Sequence, residues 1–221
     1  MPNPNRPLGG HLPANVLRPC PSPRGAIPFI SRSTVFASIL VLLLSASFRL
    51  FAGDDTAAAA LAAESATYCA STLHQDRPTA PETVVAKVNE ACALLEKEGP
   101  AAFLKFSGKD SAFLYEGTYV WVHTLDEGKM LVHPIKYKMV GNRLISLKDV
   151  KGKRFFVVMN DLVREKGAGW VEYFWPKPNT DEAVRKISFV KKCHMADGTD
   201  VVVGSGLVNF SDADVAKLDL H

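Results

Sequence analysis

The sequence predicts an α+β domain with an antiparallel sheet of about five strands, an N-terminal amphipathic helix and a middle helix. Three observations carry that expectation. Val84, Val85, Val88, Cys92 and Leu95 recur at helical spacing, with Glu82, Lys87, Glu90 and Lys97 on the opposite side. Five later segments are rich in β-branched and aromatic residues and are separated by turn signals. A single further helical stripe, Phe155, Phe156, Met159, Leu162 and Val163, divides them into two and three.

The elements follow in order. Residues 54–66 (DDTAAAALAAESA) are Ala-rich and read as a helix or a linker, within a linker segment 54–80. Thr79-Ala80-Pro81-Glu82 has a capping-box pattern, with Pro in the first turn where its missing N–H costs nothing. The helix behind it stops at Gly99, and Pro100 to Phe106 forms a short second helix. Tyr115 to Leu125 is the first strand, Asp126-Glu127-Gly128-Lys129 a hairpin turn, and Met130 to Ile135 the returning strand. Lys151-Gly152-Lys153 precedes the middle helix, which Gly167 ends. Three strands complete the sheet, in Gly169–Pro178, Arg185–Lys191 and Val202–Leu207. Residues 211–221 form a polar tail with about one helical turn.

The chain has 221 residues and a net charge of +3. Residues 1–53 hold Arg6, Arg18, Arg24, Arg32 and Arg49 and no acidic residue; the remainder holds 21 Lys+Arg against 23 Asp+Glu. The basic excess therefore belongs to a leader and not to a nucleic-acid surface. Val35 to Phe48 is an uncharged apolar run of 14 residues, shorter than the roughly 20 a spanning helix needs. It reads as a secretory signal cleaved near Ala52, with an uncleaved membrane anchor through residues 35–52 as the alternative. Either reading implies a periplasmic or secreted domain. Export permits disulfides. Cys69 with Cys92 is one option; the other leaves Cys92 as a buried small hydrophobe in its helix stripe.

Several segments together resemble the single Cache domain family, extracytoplasmic small-molecule sensors with a PAS-like sheet. They are Tyr119–Leu125 with the turn Asp126–Gly128 and Leu131–Pro134; Gly141-Asn142-Arg143-Leu144; and Lys148-Asp149 with Gly152-Lys153. Gly169-Trp170-Val171-Glu172-Tyr173-Phe174-Trp175-Pro176, Lys186-Ile187-Ser188-Phe189-Val190-Lys191 and Val202-Val203-Gly204-Ser205-Gly206 complete the pattern. The resemblance covers about Pro81 to Phe210, and assigns the Cache domain to residues 81–210. It implies ligand sensing in signal transduction, as in chemotaxis receptors and sensor kinases, with a membrane receptor or kinase as partner. It also implies a small carboxylate or amino acid as ligand.

A half-buried carboxylate needs charge-assisted donors and an apolar wall. Strand alternation places Tyr119, Trp121 and His123 on one face, Tyr173 and Trp175 on another with Val171, and Lys186 with Ser188 on a third. The candidate ligand-binding residues are Tyr119, Trp121, His133, Tyr173, Trp175, Lys186 and Ser188, with His123 and Arg154 as further donors. The competing role of each aromatic is core packing, and of each lysine a solvated surface.

No phosphate loop, H-E-x-x-H, metal-ligand spacing or CxxCH is present, so no cofactor, metal or catalytic residue is assigned. The segment around Ser205 lacks the G-x-S-x-G spacing of a nucleophile elbow. An enzyme using Cys193 or His194 is the weakest alternative; an interaction protein docking a membrane receptor without its own ligand is the stronger one.

Overall fold

The computed structural model describes residues 55–73, 78–176 and 181–221. The leader expected at residues 1–53 lies outside them. Among the described residues, no helix is long and apolar enough to cross a membrane.

Helix α1 covers residues 55–71. Helix α2, Pro81–Glu98, leads into a 3-10 helix, Gly99–Phe106. Then come β1 (Leu114–Tyr115), β2 (Thr118–Thr124), β3 (Met130–Val132), α3 (Phe155–Lys166), β4 (Ala168–Pro176), β5 (Ala183–His194), β6 (Asp200–Gly206) and α4 (Asp212–Val215). The sheet has six antiparallel strands in the order β1-β2-β6-β5-β4, with β3 also on β2. It is thus an α+β fold of the expected kind, with the first expected strand broken in two. The break falls at Glu116-Gly117, where both residues take positive φ.

The start of α2 differs from its sequence pattern. Ala80, not Thr79, occupies the N-cap position, and no side chain caps the helix. Thr79 is buried, and its backbone N–H donates to the Val208 carbonyl, which draws it into the exit of β6.

The sheet buries both faces. On one, Val88, Cys92 and Leu95 of α2 and Phe106 pack on Val120, Val122, Val201 and Val203. The Cys92–Cys193 disulfide crosses this layer, with 5.6 Å between the Cα atoms. Both earlier readings of Cys92 are thereby corrected. Cys69 belongs to the opposite core layer and stays a free thiol, buried and out of reach of Cys92. On the other face, Phe155, Phe156, Met159 and Leu162 of α3 cover Trp121, Val171, Tyr173, Val190 and Val202.

The tail docks on the sheet. Ser211 and Asp214 form a reciprocal capping box on α4. Leu220 then bridges Trp170 of β4, and the His221 N–H donates to the Trp170 carbonyl.

Candidate functional site

Three strands bring their candidate residues to one place on the α3 face. Tyr173 lies opposite Lys186 between β4 and β5, and Trp121 lies opposite Gly204 between β2 and β6. A small cavity, about 10 Å³, is walled by Tyr119, Trp121, His133, Tyr173, Trp175 and Lys186. Met130, Met139, Phe155 and Phe156 close it. Six of the seven candidate residues thus share one cavity. The seventh, Ser188, stands just behind it, fully buried, with its hydroxyl 3.1 Å from the Tyr173 hydroxyl. The other two donors go elsewhere. His123 donates from Nε2 to Asn160 inside the core, and Arg154 is exposed with its Nε on the Ile145 carbonyl.

Lys186 is the one cation of this wall. Its ammonium lies 3.3 Å from the Tyr119 hydroxyl and over the rings of Tyr119 and Trp121, at 4.5 and 5.4 Å from their centroids. Among the described residues no carboxylate pairs with it. Burial pulls its pKa down to about 8, helped by the charge of Lys136, while Cys69 opposes the shift. Lys136 itself sits over the Trp175 ring.

The neutral donors belong to residues that line the same cavity. The Trp121 indole N–H is buried and has no hydrogen-bond acceptor. The Tyr119 hydroxyl oxygen accepts from Lys186, which leaves its own O–H free to donate. Burial raises both Tyr119 and Tyr173 well above the usual phenol range, so both hydroxyls keep their protons. His133 is buried, and its Nδ1 accepts the backbone N–H groups of Ile135 and Lys136. Two accepted bonds fix the proton on Nε2, making the ring a donor there. Burial lowers its pKa to about 3, reinforced by Lys186 and Lys136.

Two glycines make the arrangement sterically possible. A Cβ at Gly204 would run into the Trp121 ring, and one at Gly206 would stand 2.5 Å from Lys186 Cε and 2.9 Å from Ser188 Oγ. The alternating Gly204-Ser205-Gly206 is therefore the floor over which Trp121 and Lys186 lie. Sequence reading saw only a strand containing glycines. Their shared parity on one strand was the available signal. Asp149 holds the loop before α3 in place: its carboxylate accepts from the Lys151, Lys153 and Phe174 backbone N–H groups.

A larger groove, about 490 Å³, lies on the outer side of Lys186. It shares Tyr119, Trp175 and Lys186 with the cavity and is otherwise lined mainly by apolar groups from α1, the β4–β5 hairpin and the chain after β6.

A segment of 73 residues is 37% identical to the methyl-accepting chemotaxis protein McpP of Pseudomonas putida, and covers 33% of this chain but only 13% of that receptor. A solved periplasmic sensor domain of a chemotaxis protein is 35% identical, with 57% of this chain and 92% of that one covered and a TM-score of 0.46. A Cache chemosensory domain solved for its carboxylic acid recognition is 29% identical, with 57% and 90% covered and a TM-score of 0.46. Residues 97–218, more than half of the chain, match the family Single Cache domain 2, and the chain belongs to that family of sensor domains.

Proposed function

We propose that this domain senses short monocarboxylates from outside the cytoplasm, on behalf of a membrane receptor or kinase. One observation carries the reading. Lys186 and Trp121 line the same small cavity; the buried Trp121 N–H has no acceptor, and among the described residues the Lys186 ammonium has the Tyr119 hydroxyl but no carboxylate. An unpaired buried charge is costly, and an unsatisfied buried donor costs about 1–3 kcal/mol. A carboxylate compensates both at once, with Tyr119 O–H and His133 Nε2–H as further donors. The chemoreceptor relative supports a sensory role.

The cavity size limits the ligand. Its volume of about 10 Å³ is the space of one water molecule. A two- or three-carbon acid enters only if Met139 and its loop move outward. An amino acid brings an ammonium group, for which the wall offers no carboxylate. The small volume also gives the second reading its one supporting observation: a cavity that stays closed leaves an interaction module with no ligand.

The test is calorimetry and thermal melting of the full chain with acetate, propionate, glycine and ethylamine, on wild type and Lys186→Met. Binding of the acids alone, lost on substitution while the fold persists, is the expected result. No binding by any acid moves the domain to the second reading.

A further inference from the structure

We infer that the outer groove is a second ligand subsite, for the aliphatic tail of a medium-length monocarboxylate whose head rests on Lys186. The inference rests on Lys186 as the carboxylate anchor proposed above. It goes beyond that reading in the length of acid accepted and in the residues that set it.

The inner cavity and the outer groove lie on either side of one wall, Tyr119, Trp175 and Lys186. The inner space suits a head group with at most a short stub. The outer one, at about 490 Å³, falls within the range of pockets that enclose whole organic ligands. Its lining suits a hydrocarbon chain. Leu73 comes from the end of α1, Val184 from β5, and Leu207, Val208 and Phe210 from the chain after β6. Val184 lies two residues from Lys186 on the same strand, and hence on the same face. The polar group most able to compete, the Arg185 guanidinium, is already bound by Glu172 and Asp212. Lys186 is therefore the cation left to receive an anion, and most of the lining beyond it is apolar, with Thr118 and Asn209 as its neutral polar members. Cys69 also lines the groove, but burial pushes its thiol up to about 12, so it is a neutral apolar wall there.

The test is calorimetry with the full chain and the straight-chain acids from propionate to decanoate, with octylamine as the tail-matched cation. Affinity should rise about fourfold per added methylene over part of the series, the equivalent of about 0.8 kcal/mol for each buried CH₂. Octylamine should not bind. Val184→Trp narrows the groove, and Val208→Asp puts a carboxylate in it. Each should weaken octanoate at least tenfold and leave propionate within twofold. Lys186→Met should abolish both.

Propionate binding without octanoate binding overturns the subsite and leaves the short-acid reading standing. Octanoate binding unchanged in both groove variants, or matched by octylamine, also overturns it. Octanoate binding that fails in the variants, with no propionate binding, upholds the groove and sinks the inner cavity as the primary site. Binding of neither acid overturns both proposals.

Discussion

Helix α2 covers one face of the sheet and α3 the other, and the two faces differ in what they bury. The α2 face is a layer of valines, leucines and phenylalanines locked by the Cys92–Cys193 bond. The α3 face buries two tyrosines, two histidines and two ring nitrogens without partners, and half-buries a lysine. Hydrophobic burial is non-directional and tolerates no unpaired polar group. One face therefore supplies stability, and the other gives up some of it to polar groups without partners. The comparison predicts that acid attacks the α3 face and reduction the α2 face.

Acid has the largest expected effect. Burial lowers the pKa of His123 to about 4 and of His133 to about 3, both below the ordinary value of 6.5. The unfolded chain binds these protons first, so stability is full above about pH 6.5 and falls as the pH drops toward 4 and 3. The loss should approach 1.4 kcal/mol per pH unit for each histidine, read from urea midpoints between pH 7 and 5. A flat profile would mean that neither ring is enclosed. Lys186 has the same sense in a higher window: its folded pKa of about 8 lies below the free value of 10.5. The empty domain should gain stability from pH 8 to 10.5, while carboxylate affinity falls over the same range as the ammonium is lost.

Replacing Cys92 and Cys193 by Ala should cost about 2–5 kcal/mol in chemical denaturation. Carboxylate affinity should stay within twofold, since no cavity residue sits on that face. A large affinity change would show that the two faces are coupled.

Gly206→Ala is the sharper probe of the α3 face. The added methyl displaces Lys186 or Ser188, costing about 1–3 kcal/mol of stability as an overpacked core does. Carboxylate affinity should drop with it, and calorimetry of the folded variant separates the two losses. Trp121→Phe should have the smallest effect. Removing the orphaned N–H leaves the empty domain as stable or slightly more so, and weakens acid binding about tenfold, near the value of one hydrogen bond to a charged group.

Much of this was legible in the sequence, for a local reason. Alternation assigns each side chain to a face of its own strand, so Tyr119 with Trp121 and Tyr173 with Trp175 could be grouped. That the faces of β2, β4 and β5 are the same face depends on sheet order, which no local pattern encodes. The disulfide was missed because Cys92 and Cys193 are 101 residues apart, and only the packing of α2 on β5 unites them. Phe155 and Phe156 read only as the apolar stripe of the middle helix, since a cavity wall and a core have the same composition. Thr79 misled because the capping pattern competes with a backbone bond to a strand distant in sequence.

The outer edge of β4 has a consequence for how a partner can dock. Its Trp170 carbonyl takes the His221 N–H, its Glu172 carbonyl takes the Lys153 ammonium, and its Phe174 N–H donates to Asp149. The backbone groups that an incoming strand needs are already in use along this edge, so β-augmentation is blocked there. A receptor or kinase that reads this domain would have to dock elsewhere than along the backbone of β4.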